Sequence, residues 1–172
     1  MKTKHLLSFS LMLLFTFLIS CQKEQGDVPA TGEITGVLIG YSGCKQNKSA
    51  LSEANYNKSV SCVTYSYDSE SKILALKHIN AGFNCCPDSL YCSIVTSGDT
   101  IIISEFEKAA LCRCNCLFDL DIELDSVASE NYIIKINEPY CAKQEELIFE
   151  IGLDSNQNGE YCVDRDIYPW GT

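Results

Sequence analysis

Six cysteines and one histidine crowd a single stretch of this chain, between residues 78 and 116: His78, Cys85, Cys86, Cys92, Cys112, Cys114 and Cys116. Sulfur and imidazole at this density support three chemistries. Pairs of thiols form disulfides beyond the reducing cytosol. Thiolates with one imidazole hold zinc, and thiolate-rich sets hold copper(I). An activated thiol exchanges disulfides, usually from a Cys-x-x-Cys at a helix start. That last spacing is absent here, as is the two-residue separation of zinc-ribbon knuckles. The metal set is therefore His78, Cys85, Cys86, Cys112, Cys114 and Cys116, standing as the alternative to cross-linking.

Spacing restricts the cross-links. In an extended strand Cys112 and Cys114 lie about 6.6–6.8 Å apart at Cα, the upper edge of disulfide reach. Cys112 to Cys116 is about twice that, and a bridge between the neighbours Cys85 and Cys86 strains its peptide. Neither group pairs readily within itself. Pairing Cys85, Cys86 and Cys92 with Cys112, Cys114 and Cys116 satisfies all six and staples the loop to the strand. Cys44, Cys62, Cys141 and Cys162 then make up the remaining bridges, five in all, with connectivity inside each set left open.

The elements that position these groups read as strands. Residues 33–41, 60–67, 72–80, 90–96, 100–106, 131–137 and 146–153 are β-branched or alternating, and turn residues separate them. Leu74, Leu76 and His78 share one face by the period of two. Ser97-Gly98-Asp99 marks a hairpin. Residues 112–125 are the longest alternating run. Its Cys112, Cys114, Cys116, Phe118, Leu120, Ile122 and Leu124 share one face, opposite Arg113, Asn115, Asp119, Asp121, Glu123 and Asp125. Residues 42–58 read as a loop with a short helix near 50–54, residues 107–111 as a helical turn, and 161–170 as the closing segment. About nine short strands with frequent turns predict one all-β, antiparallel β-sandwich or barrel-like domain over residues 33–172, stapled by disulfides.

The N-terminus sets the location. Lys2 and Lys4 precede an uncharged apolar run at 6–19, which ends Leu18-Ile19-Ser20-Cys21. That is the grammar of a secretory signal peptide, and the run is shorter than the roughly 20 residues a spanning helix needs. Leu-Ile-Ser-Cys resembles the lipobox of bacterial lipoproteins. The resemblance implies a signal peptide at 1–20, lipidation of Cys21 and a tether at 21–32. Several acyl chains on one residue anchor stably where one would not. Gln22-Lys23-Glu24-Gln25 resembles, in part, the surface-export signal of Bacteroidota lipoproteins. The expected place is the cell envelope, at the outer membrane and exposed at the surface.

The first twenty residues carry two lysines and no acid, leaving 11 basic against 23 acidic side chains, a formal −12 for the remainder. That charge excludes a nucleic-acid partner. Asp154, Asn156, Asn158 and Glu160 imitate the first half of a calcium loop, with Gly159 at its sixth position. Arg165 stands at the twelfth, where a bidentate glutamate belongs. Asn158-Gly159 between two strands reads as a hairpin turn in preference to a calcium loop. The stripe Asp119, Asp121, Glu123 and Asp125 is a solvated strand face, and Tyr168-Pro169-Trp170-Gly171 closes the core or stacks on sugars. No nucleophile elbow, His-Glu-x-x-His, P-loop or dinucleotide fingerprint occurs. Any Ser/Cys-His-Asp system would run through His78, and no partner stands at a telling spacing.

His78-x-Asn80, Phe83-Asn84-Cys85-Cys86-Pro87, Cys112-x-Cys114-x-Cys116-x-Phe118-Asp119-Leu120 and Tyr168-Pro169-Trp170-Gly171 together resemble a group of small, cysteine-rich uncharacterised lipoproteins of the Bacteroidota, over about half of the chain. The resemblance implies an envelope location and brings no activity. The expectation is a lipid-anchored binding or structural module for a protein or glycan, touching the membrane through Cys21. A zinc- or copper-binding envelope protein is the alternative, and an enzyme ranks third.

Overall fold

In the computed structural model, residues 32–45 and 59–167 are described. Nine strands follow in order: β1 (Thr35–Tyr41), β2 (Val60–Asp68), β3 (Ile73–Asn84), β4 (Pro87–Ser97), β5 (Thr100–Ala110), β6 (Asn115–Asp125), β7 (Asn131–Asn137), β8 (Leu147–Gly152) and β9 (Asn158–Asp164). They form two sheets, a five-stranded one ordered β1-β6-β3-β2-β9 and a four-stranded one ordered β4-β5-β7-β8. The fold is the expected all-β sandwich. Every pairing is antiparallel except β5 with β7, which runs parallel. β6 lies between them in sequence and belongs to the opposite sheet. No helix among the described residues is long and apolar enough to cross a membrane.

Alternation builds the core. Leu120, Ile122 and Leu124 from β6 meet Leu74 and Leu76 from β3, while Ile101, Ile103, Ile134, Ile136 and Leu147 line the facing sheet. Burial of such side chains contributes roughly 1.5–3 kcal/mol each relative to exposure. The sides of the sandwich are closed by edge strands. Gly36 on β1 admits Leu124 and Ile94 so closely that a Cβ there would collide with them and lie 2.9 Å from the Glu123 carbonyl oxygen. On the far side Phe149 of β8 stacks on Tyr161 of β9 at 4.9 Å.

A bulge in β3 separates two registers. The pairing with β6 shifts between His78 and Ala81, and Asn80 takes φ 64° there. Asparagine tolerates the left-handed region better than most residues. Its side-chain amide is also engaged at both ends, donating to Val60 O at 2.8 Å and accepting from Lys45 Nζ at 3.0 Å.

Two local expectations are corrected. Residues 107–111 hold no helical turn: β5 runs through them to Ala110, because Pro87 to Ser89 of β4 arrive as a pairing partner. Asn158-Gly159 is not a hairpin turn. β8 and β9 belong to different sheets, and Gly159 lies within β9 opposite Tyr65, whose ring fills the space a Cβ would need. The short helix near 50–54, Cys21 with its leader and tether, and Tyr168 to Gly171 lie outside the described residues. The Ser97-to-Thr100 hairpin forms as expected, with Gly98 at φ 63°.

Candidate functional site

The cysteine stretch becomes a corner. β3 ends at Asn84, and after Cys85-Cys86 the chain continues into β4 of the other sheet. β5 ends at Ala110, and after residues 111–114 the chain returns as β6. These two crossovers lie against each other. Cys85 bridges Cys114 and Cys86 bridges Cys112, each with Cα atoms 5.5 Å apart. Two further bridges tie Cys44 to Cys116 and Cys62 to Cys162. The last pair sits in direct register on β2 and β9, at a Cα distance of 4.0 Å, the close spacing of a cross-strand pair without mutual hydrogen bonds.

Two of the three expected links between the cysteine groups are present, but Cys112 and Cys114 lie in the crossover before β6 and not on the strand where they were expected. Cys92 and Cys141, expected in bridges, are free thiols. Cys116 is bonded to Cys44 instead: the segment after β1 runs beside β6, with Lys45 N donating to Leu117 O at 2.8 Å, while Cys92 lies on β4 opposite Glu105 in register. Burial, then the charge of Glu105, pushes the Cys92 thiol up to about 11.

Asn84 organises the corner without sulfur. Its Nδ2 donates to Cys112 O at 2.6 Å and Cys114 O at 3.0 Å. Its Oδ1 accepts from Cys86 N at 3.0 Å and Cys112 N at 3.2 Å. Cys85 N donates to Cys114 O at 2.9 Å, and Leu111 N to Cys86 O at 3.3 Å. One buried amide thus meets both crossovers with all its principal donors and acceptors engaged.

The residues expected to share a metal divide among three places. Cys85, Cys86, Cys112 and Cys114 converge at the corner, and the Sγ atoms of the first three lie within 4.8 Å of one another. Cys116 is bonded to Cys44. His78 turns away into the core, fully buried. The calcium candidates also divide: Asp154 sits in the β8–β9 crossover, while Asn158 and Glu160 are strand residues of β9 opposite Ser66 and Thr64. Asn156 Oδ1 faces Asn158 N at 3.5 Å.

Around His78 lies a polar cluster that links both sheets. His78 Nδ1 is 2.8 Å from Glu105 Oε1, and Nε2 is 2.8 Å from Ser61 Oγ. Glu138 Oε1 stands 3.8 Å from Nε2. Arg165 Nη2 donates to Glu138 Oε2, and Nη1 donates to Glu145 O at 2.7 Å and to the Cys141 sulfur at 3.1 Å. Burial alone lowers the His78 pKa, but the charge and hydrogen bond of Glu105 and the charge of Glu138 outweigh it, and the net shift is upward. Glu105 is raised too, by burial first, against the pull of His78. With both ring nitrogens protonated, His78 donates to Glu105 and to Ser61. Glu105 Oε2 and Glu138 Oε1 remain buried without a hydrogen-bond partner.

Ser61, His78 and Glu105 reproduce the order of nucleophile, base and orienting acid. Sequence reasoning missed this arrangement because its members come from β2, β3 and β5 with no short spacing between them. It is an internal tie: Ser61 and His78 have no exposed surface, so no carbonyl can reach the hydroxyl. No family model, curated protein or solved structure matches this chain.

The surface offers a different kind of site. β1 turns Val37, Ile39 and Tyr41 outward, with Val37 and Ile39 more than half exposed. Beside them a shallow hollow of about 350 Å³ crosses the five-stranded sheet, lined by Ile39, Tyr65, Leu76, Lys77 and Asp121 among others. Lys77 and Asp121 pair at 3.5 Å. A second apolar patch lies on the other sheet, where Tyr91 stacks on Phe106 at 5.2 Å.

Proposed function

We propose that this chain is a lipid-anchored cell-envelope module that binds a protein or glycan partner, with the disulfide-laced sandwich as its rigid body. The observation that carries the reading is the set of four bridges at sequence separations of 26, 29, 72 and 100 residues. Bridges of that number persist in oxidising compartments, in keeping with an exported chain whose Cys21 follows Leu-Ile-Ser. The hollow beside Ile39, with an apolar rim and one ion pair, suits a partner presenting a rigid apolar face with polar edges. No accessible nucleophile–base pair argues for catalysis among the described residues.

Metabolic labelling with a fatty acid tests the anchor. The wild-type protein takes up label and partitions with membranes, and Cys21→Ala does neither. Equal labelling of both, or a soluble wild type, overturns the proposal. Surface exposure is read by protease treatment of intact cells.

A second reading, a zinc- or copper-binding envelope protein, is favoured by one observation, the convergence of the corner sulfurs.

A further inference from the structure

The corner has the dimensions of a metal site that is closed by oxidation. Zinc binds thiolate sulfur at about 2.3 Å, so the edge of a tetrahedral four-sulfur site is about 3.8 Å. Cys85 Sγ and Cys86 Sγ, which belong to different bridges, stand 3.9 Å apart. Cys112 Sγ is within 4.8 Å of both, and Cys114 is the bonded partner of Cys85. Four sulfurs therefore occupy one small volume. They lie at the surface, where Cys114 is exposed and Cys85 and Cys112 are half-buried.

The two bridges are not the only contacts that hold the corner. The four hydrogen bonds of Asn84, the Cys85–Cys114 backbone bond, and the strand pairs Asn84 to Asn115 and Pro87 to Ala110 all hold the same crossovers together. The thiols are then preorganised, which lowers the ordering cost of capturing an ion. Arg113, between Cys112 and Cys114 in sequence, adds a fixed positive charge to a site that would carry excess negative charge when metallated.

We propose that reduction of Cys85–Cys114 and Cys86–Cys112 converts this corner into a four-thiolate site for a thiophilic d10 cation, with zinc as the test ion. This deepens the second reading above and rests on it; it narrows the ligand set to Cys85, Cys86, Cys112 and Cys114 and makes binding conditional on redox state. The reductant is a dithiol. Two dithiols supply four electrons and four protons, two S–S bonds break, each of the four cysteines gains one hydrogen, and each dithiol leaves as its own disulfide. Zinc then displaces four thiol protons to solvent.

The test uses the folded mature protein, oxidised or reduced with a dithiol that is then removed without oxygen, and titrated with Zn²⁺ alone. Reduced protein is expected to bind one Zn²⁺ in native mass spectra, and Co²⁺ in its place to give the sulfur charge-transfer absorption of a four-thiolate site. Oxidised protein binds none. Cys86→Ala/Cys112→Ala, which keeps the other three bridges when oxidised, weakens binding about 100-fold or more once reduced. Asn84→Ala, a positioning change, weakens it about 10-fold, and Cys92→Ala/Cys141→Ala leaves it unchanged. Zinc bound through Cys92, Cys141 or His78 would sink this site while leaving a metal-binding protein standing; no zinc bound by any form would sink both. If reduction abolishes the strand signal in circular dichroism, zinc must restore it, and failure to do so also overturns the proposal.

Discussion

Replacing His78 with leucine strands charges that the native core holds only in combination. The His78 and Glu105 side chains are each 1% exposed, and both ring nitrogens make 2.8 Å contacts. Removing one partner of a buried ion pair typically costs about 3–5 kcal/mol, because the other charge stays buried without compensation. Here Glu105 is left in that position, and Ser61 loses a partner as well. For a domain of this size about 4 kcal/mol corresponds to a fall in Tm of about 10–20 °C. His78→Leu/Glu105→Leu removes the stranded carboxylate and is expected to be more stable than His78→Leu alone, although it carries one more substitution. The pH dependence has a definite sign. His78 is raised above its ordinary 6.5 and Glu105 above its ordinary 4.5, so the native state holds more protons than the unfolded one. The stability from His78 is complete below pH 6.5 and is lost as pH rises through its folded value, and Glu105 contributes with the same sign from a lower starting point. Wild type should thus be more stable at pH 6 than at pH 9, with the double variant flatter. The assay is urea unfolding followed by circular dichroism with all bridges intact. A His78→Leu cost under about 1 kcal/mol, or a double variant less stable than the single, would refute the reasoning.

The other expectations are simpler. Intact-mass analysis of the unreduced mature protein should show eight hydrogens fewer than the reduced chain, from four bridges, with Cys92 and Cys141 taking alkylating reagent after denaturation; ten fewer would mean those two thiols are joined. In the folded protein Cys92, pushed up to about 11 from 9.0, should alkylate about 100-fold more slowly at pH 8 than an ordinary thiol, by its smaller thiolate population alone. Cys44→Ala/Cys116→Ala opens a loop of 72 residues, and chain entropy sets its cost at about 4 kcal/mol by urea unfolding; no change in midpoint would remove that bridge from the account. Gly36→Ala should cost about 1–3 kcal/mol by overpacking, since backbone as well as side chains crowd the position, and a neutral result would mean β1 sits further from β6 and β4.

The sheet content was legible because alternation is a local signal. The run from Phe118 to Asp125 alternates in sequence and in burial alike. The proximity of the two cysteine groups was legible as well, since neither could pair within itself. What the sequence hid depends on contacts between distant strands. Residues 107–111 look like a helical turn only until β4 supplies a partner, and Asn158-Gly159 looks like a hairpin only until β9 joins the other sheet. The parallel β5–β7 pair follows from the placing of β6, which no spacing reports. The cluster around His78 draws on β2, β3, β5 and the segments after β7 and β9, so its members share no motif. Arg165, first noticed as the wrong residue for a calcium loop, is instead the buried cation of that cluster.

The order of the sulfur partners has a consequence for biogenesis. No bridge joins cysteines that follow one another along the described chain, and the loops closed by Cys44–Cys116 and Cys62–Cys162 interleave. An oxidant acting on thiols in the order the chain presents them would couple Cys44 with Cys62 long before Cys116 arrives. Native linkage therefore needs either delayed oxidation, until β6 has inserted between β1 and β3, or later reshuffling, which runs over seconds to hours depending on isomerase. The maturation of this protein is a matter of timing as much as of sequence, and its yield should follow the supply of disulfide isomerase in the compartment where it folds.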